Sequence, residues 1–313
     1  MLAYTLKRIL ATLPVMGLVV VFVFLLVRIA PGDPAAILAG DYATPENIQK
    51  IRTGLGLARP IHVQFALYAG NPLRGALGQS LHSQMPVRQL ILQRLEPTVA
   101  LAVSTLTFAV LLAIPLGILA AWRMGSLLDR AVMVFAVGGF SIPIFWLGFL
   151  LIYVFSIRLD LLPVQGYVSF HEGLVPFVKH LILPTLALGM VYMALLARVT
   201  RASVLEVLQS DYIRTAAAKG VPSLGLLFRH ALKNAAVPVV TTVGVGFALL
   251  IGGVVITESV FALPGLGRLT VDAILQRDYS IIQGVTLIFA FAYALVNLVV
   301  DLSYTLFDPR IRY

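Results

Sequence analysis

Residues Ser210–Val240 read SDYIRTAAAKGVPSLGLLFRHALKNAAVPVV, and the rest of the chain is arranged around them. The stretch lies between two long apolar runs, yet it carries Arg214, Lys219, Arg229 and Lys233. Its first half predicts a short helix. Ser210 or Asp211 can cap the N-terminus, and Ala216, Ala217 and Ala218 are the best helix formers available. Lys219 falls in the last turn, where a cation suits the dipole, and Gly220 can take the left-handed C-cap. Pro222 stops the helix from running on. A second helix from about Leu224 leads into the next apolar run. From charge alone the stretch reads as a basic loop resting on anionic lipid. Lipid attraction, however, explains neither the small alanine face nor the sharp stop at Gly220 and Pro222. A capped helix with small side chains offers a partner's backbone a rigid knob that it can approach closely.

The residues carry a resemblance. Asp-Tyr-x-Arg-Thr-Ala-x-Ala-Lys-Gly over Asp211–Gly220, followed by Arg229-His230-Ala231-Leu232-x-Asn234, resembles the cytoplasmic loop of permeases of binding-protein-dependent ABC importers. The likeness is to their dipeptide, oligopeptide, nickel and glutathione branch. Thr257–Leu269 (TESVFALPGLGRL) resembles the outer loop after the fifth span of such permeases. Arg277-Asp278-Tyr279 through Asp308–Arg312 resembles their last helix and tail, and Pro115-Leu116-Gly117 ends the second span. Two departures from the general importer pattern fit the peptide-type branch. Arg214, Thr215 and Ala216 stand where Glu-Ala-Ala is usual, and Leu232-Lys233 replaces Leu-Pro, with the proline at Pro238. The resemblance implies that Asp211, Tyr212, Arg214, Thr215, Ala216, Ala217, Ala218, Lys219 and Gly220 form a coupling helix that docks on a separate ATPase subunit.

Composition points the same way. The chain of 313 residues is 59% hydrophobic and only 12% charged, with a mean hydropathy of +0.95. A soluble domain carries roughly 25% charged residues, so a polytopic membrane protein is expected. The net charge of +9 is then a matter of topology, not a nucleic-acid footprint, and aromatic-flanked basic patches are absent. The absence of cysteine excludes disulfides, thiolate metal sites and cysteine nucleophiles.

Six apolar spans are expected, at about Ile9–Ile29, Pro97–Ala121, Ala131–Ile157, Leu181–Leu196, Val237–Val260 and Ile282–Leu306, each near the roughly 20 residues that cross the hydrocarbon. Lys7 and Arg8 before the first imitate a signal peptide, but the run is too long and has no convincing cleavage site. Arg28 is expected to snorkel to the interface. Pro31-Gly32-Asp33-Pro34 ends the first span, and Pro45, Pro60, Pro72 and Pro86 break the polar segment that follows. Within it Pro45–Gly54 predicts a short helix, and Val87, Leu90, Ile91 and Leu95 lie on one stripe of a possible interface helix. His62 and His82 are isolated and read as surface or core histidines.

Basic residues stay cytoplasmic. With both termini inside, the inner segments hold Lys7, Arg8, Arg123, Arg130, Arg198, Arg201, the cations of the quoted stretch, Arg310 and Arg312. The short outer loops then hold only Arg158, Lys179, Arg268 and Arg277. The reading is an all-α polytopic protein with six transmembrane helices, N-in and C-in, of type I ABC importer permease fold. Residues 1–96 form the first transmembrane helix plus a long periplasmic segment. Residues 97–313 form a five-helix core with a cytoplasmic coupling loop at about 202–236.

Buried polar side chains in spans need a reason. Asn297 and Asp301 lie one turn apart and are expected to pair with Arg198 or Arg201. Glu258 reads as a structural cap near the outer interface. Gly138, Gly139, Ser141 and Pro143 interrupt the third span; Gly244, Gly246, Gly252 and Gly253 lighten the fifth, either for close packing or for flexing. No Walker loop, HExxH motif, nucleophile elbow or kinase signature is present. The expectation is therefore a non-catalytic permease subunit without a cofactor of its own, ATP and Mg being held by partner ATPase subunits. By the resemblance it sits in the inner membrane with a second homologous permease, two ATPase subunits and a periplasmic binding protein that delivers peptides or similar small solutes. Membrane lipid is its other partner, and nucleic acid is not one. An ion-coupled secondary transporter is the alternative; it would show inverted repeats and mid-membrane ionisable groups. A non-transporting scaffold would have no need of a capped knob, and an intramembrane enzyme would need a catalytic pair.

Overall fold

The computed structural model describes residues 2–29, 34–39, 44–54, 58–73 and 77–307. Among these, the regular elements are helices, apart from one isolated bridge between Gln79 and Pro86. In order they are α1 (Leu2–Ile29), α2 (Pro34–Ala39), α3 (Pro45–Gly54), α4 (Ile61–Leu73), α5 (Val87–Trp122), α6 (Leu127–Ser141) and α7 (Ile144–Leu151). A π-helical turn, Ile152–Arg158, extends α7. Then come α8 (Leu174–Leu208), α9 (Asp211–Ala218), α10 (Ser223–Gly225), α11 (Leu232–Val260), α12 (Leu266–Leu275) and α13 (Tyr279–Phe307), a π-helical turn at Leu226–Ala231 joining α10 to α11. Helices α1, α5, α8, α11 and α13 are long and apolar enough to cross a membrane. The pair α6–α7, bent by 103°, makes a sixth crossing if it is one span.

The structure revises several expected ends. Val87–Leu95 is not a separate interface helix but the first turns of α5, which runs through Pro97 and Pro115 without a break. Its apolar stripe nevertheless packs: Val87 and Ile91 meet Leu266, Leu269, Ile281 and Val285 in one buried cluster. The fourth span likewise passes through Pro184 and occupies Leu174–Leu208. Water does not compete for backbone groups in hydrocarbon, and neighbouring helices satisfy those a proline frees, so the prolines that mark boundaries in soluble chains do not do so here. The third span does break, between Ser141 and Ile144. Pro31–Asp33 and the tail from Asp308 to Arg312 lie outside the described residues.

α8 is the hub. Its Leu181, Leu183, Leu188, Tyr192 and Leu196 pack with Leu101 and Ala109 of α5 and with Val239, Leu250 and Val254 of α11. Two glycines make the close approaches possible. A Cβ on Gly117 would lie 2.7 Å from the Ala197 carbonyl oxygen of α8. A Cβ on Gly246 would lie within the Tyr192 ring, whose hydroxyl donates to the Val243 carbonyl at 2.9 Å. Gly246 therefore serves packing, whereas Gly252 faces open space, which separates two roles that composition alone leaves open.

The Arg28 guanidinium lies 3.3 Å from the Phe24 ring centroid and donates to the Phe24 carbonyl and to Gln64 Oε1 of α4. Beyond α11, Glu258 is fully buried and accepts from Thr98 Oγ1 at 2.6 Å and from the Arg268 amide at 2.9 Å. It caps the N-terminus of α12, where a carboxylate suits the dipole. Asp278 likewise accepts from Ser80 Oγ and the Leu81 amide, and His82 Nε2 donates to the Gln276 carbonyl, so residues 80–82 are pinned to the α12–α13 turn.

The packing role of Gly246 is testable by adding one methyl group. Gly246→Ala overpacks against Tyr192 and should destabilise the detergent-extracted protein by about 1–3 kcal/mol, seen as a lower thermal unfolding midpoint. Gly252→Ala, in the same helix but facing open space, should leave the midpoint unchanged or raise it. Equal shifts for both would contradict this packing.

Candidate functional site

The quoted stretch folds as a helix and a sharp stop. α9 covers Asp211–Ala218, so Asp211, Tyr212, Arg214, Thr215, Ala216, Ala217 and Ala218 share one short element, with Lys219 at its C-cap. Gly220 has φ +83°. Its amide donates to the Ala217 carbonyl at 2.9 Å and the Val221 amide to the Ala216 carbonyl at 3.2 Å. This crossed pair is the Schellman arrangement, which satisfies carbonyls that a helix end otherwise leaves orphaned. A side chain at position 220 would meet nothing within 4 Å. The need for glycine is therefore conformational rather than steric, since a Cβ in the left-handed region crowds its own backbone. Pro222 stands just before α10.

The N-terminal cap differs from expectation. Ser210 occupies the cap position, and its carbonyl accepts from Ile213 and Arg214. Its hydroxyl, however, turns back to the Val207 carbonyl at 2.6 Å, at the end of α8, where the Ser210 amide also donates at 3.1 Å. Asp211 is left to pair with Arg214 at 3.4 Å, both well exposed, a contact worth little by itself. Thr215 closes onto the Asp211 carbonyl at 2.9 Å.

Two contacts that hold α9 in place were not read from the sequence. Ile213 is its one buried side chain, and the helix rests on the π-helical turn Leu226–Ala231. Asn234 of α11 donates to the Tyr212 hydroxyl at 2.6 Å. Ile213 was findable, being the only large aliphatic residue in the short helix; the Asn234 bond, 22 residues away, had no local signal. Val204, Leu205, Val207 and Leu208 of α8 pack with Leu227, Leu232 and Ala235 and with Ile118 and Ala121 of α5, so the turn on which α9 rests is itself part of a packed cluster. Ala217, Ala218, Lys219 and Gly220 are exposed, and Ala216 is half-buried, so the small-residue face is open to a partner.

The charges at this end are fixed in a different way from that expected. Arg201 of α8 pairs not with Asn297 or Asp301 but with the buried Asp129, Nη2 to Oδ2 at 2.9 Å. Asp129 also accepts from the Gly125 amide, which clamps the α5–α6 turn to α8. Asp301 instead meets Arg8 of α1 at 3.1 Å. Helices that share an end of the bundle all offer cations there, and only packing decides which one is adjacent.

With this geometry in place, the wider likeness is informative. Residues 113–313 match the family described as binding-protein-dependent transport system inner membrane component, and residues 1–102 match the N-terminal family of such membrane components. A protein of Sinorhizobium fredii, named "Probable peptide ABC transporter permease protein", is 53% identical over 310 residues, covering 99% of each chain. A glutathione transport system permease protein of Escherichia coli (strain K12) is 44% identical over 313 residues, covering the whole of both. The chain belongs to the family of inner membrane components of binding-protein-dependent transport systems, the permease subunits of ABC importers.

Proposed function

We propose that this permease carries peptides or similar small solutes, glutathione included, and that α9 is the element through which a separate ATPase subunit drives it. The substrate class rests on the names of the similar proteins, and the docking role on the exposed, Schellman-capped helix. An importer alternates between inward- and outward-facing states, and a ligand shifts such an equilibrium only by its differential contact with the two. ATP-driven closure of the ATPase pair has to reach the spans through something small and stiff. α9 meets that need, anchored by Ile213 and Asn234 and resting on the turn Leu226–Ala231, whose Leu227 packs with α5, α8 and α11. In this reading ATP and Mg bind the ATPase subunits, a second related permease completes the path, and a binding protein delivers solute from the opposite side. Ion coupling draws less support. Asp129, Glu258 and Asp301 lie near helix ends and engage Arg201, the α12 N-terminus and Arg8, which leaves none of them at mid-membrane.

The assignment of roles to α9 predicts a pattern across three variants. Gly220→Val should cost the helix end about 1–2 kcal/mol, and Ala217→Asp puts an unpaired charge on the docking face. Both should reach normal levels in the membrane while solute uptake falls and ATPase co-purification weakens; a loss of about 1.4 kcal/mol at the dock corresponds to roughly tenfold weaker association. Lys219→Gln removes charge but keeps shape and should transport normally. Loss of uptake in Lys219→Gln alone would contradict docking and favour a lipid-facing loop.

The docking role also requires the α9 end to be cytoplasmic, with both termini inside. Single cysteines at Ser169 and Ser223 of this cysteine-free chain probe that arrangement. An impermeant maleimide applied to intact cells should label position 169 and spare 223. Labelling of 223 from outside would reverse the orientation.

A further inference from the structure

The break between α6 and α7 lies deep in the bundle. α6 runs along α8 from the Asp129–Arg201 pair to Gly139, whose Cβ would stand 3.3 Å from Ala194 Cβ and 3.7 Å from the Met190 carbonyl oxygen. On the far side of the break, Ile144 and Leu188 of α8 both crowd the space above Gly253 of α11, and Gly148 faces Val260 and Phe261. The corner therefore sits beside residues 188–190 of α8, near the middle of Leu174–Leu208. At about 1.5 Å per residue that is more than 20 Å from either end of α8, and the hydrocarbon layer is roughly 30 Å thick. This is membrane depth, not interface.

The backbone there is open. Pro143 has no amide hydrogen, and the first closed turn of α7 is the Leu147 amide to the Pro143 carbonyl at 3.1 Å. The amides of Ile144, Phe145 and Trp146 precede that turn, as the last carbonyls of α6 follow its final one. Ser141 spends its hydroxyl on Val137 at 2.9 Å. Ser141 and Pro143 are exposed, as are the rings of Phe140, Phe145 and Trp146. Lipid tails cannot satisfy such groups; non-helical backbone at this depth is tolerated only inside protein or beside a water-filled cavity, and the corner is not covered by its own chain.

We infer that the Ser141-Ile142-Pro143 corner lines the aqueous path of the solute, its open main-chain groups facing water and the passing molecule, with Phe140, Phe145 and Trp146 shaping the passage. This rests on the permease reading and names which part of the chain the solute meets.

Cysteine accessibility in the assembled transporter, in membranes with reagent on both sides, tests it. A charged methanethiosulfonate is attacked by the thiolate, releasing sulfinate and leaving a mixed disulfide. Only a hydrated thiol forms that thiolate readily, so Ser141→Cys should react at least about tenfold faster than Leu18→Cys, whose position on α1 is 71% exposed and apolar. Labelling of Ser141→Cys should remove most of whatever uptake the unlabelled variant supports. Labelling as slow as at Leu18→Cys, or labelling without loss of uptake, would overturn the inference. Rapid labelling of Ser141→Cys in a transporter whose wild-type form moves no peptide would instead overturn the substrate reading and keep the corner wet.

Discussion

Hydrocarbon offers no hydrogen bonds, and this one constraint organises the molecule. Wherever the chain stops being helical within or near the bilayer, some group has to replace water. At the C-terminal end of α11 the group is Glu258, buried and turned onto the start of α12. At the α12–α13 turn it is Asp278, which also pins the segment before α5. At the α5–α6 turn it is Asp129, shared between Gly125 and Arg201. Each of these side chains serves structure, and Asp129, Asp278 and Glu258 all draw a partner from a distant part of the chain. The α6–α7 corner is different, because nothing among the described residues closes it.

The same constraint explains how motion can be carried. Helices that satisfy their own backbone pack as stiff rods, and small residues bring the rods close enough to interlock. Gly117 and Gly246 let α8 lie directly against α5 and α11. α9 rests on the turn that leads into α11, and the corner follows α6, which is tied to α8 at Arg201. In the proposed reading, dock and path would be linked through this packed unit.

Much of this was legible in the sequence, and the failures have physical causes. The helix at Asp211–Ala218 and its left-handed stop at Gly220 follow from local chemistry, which is why they could be read; the helix Pro45–Gly54 was readable for the same reason. Span existence follows from hydropathy, but span ends do not. Pro97 looked like a boundary and is interior to α5, since packing overrides the proline penalty there, and the fourth span, expected at Leu181–Leu196, runs on at both ends as α8. The residues Gly138, Gly139, Ser141 and Pro143 announced an interruption, whereas its 103° bend depends on what α8 and α11 offer on either side. Pairings were the least legible. Arg201 sits as plausibly near Asp301 as near Asp129 along the chain, and the Ser210 side chain could accept from an amide of α9 or donate to the Val207 carbonyl. Asn234 reaches Tyr212 only because the turn at Leu226–Ala231 folds α11 back beneath α9.

The central claim is that the open face of α9 is a protein contact. A photoreactive amino acid at position 217, in the complete transporter in its native membrane, reads that contact directly. The account predicts a cross-link to an ATPase subunit from position 217 and a much weaker one from position 224, beyond the helix. Adducts with lipid alone from position 217, with the ATPase present and active, would contradict it.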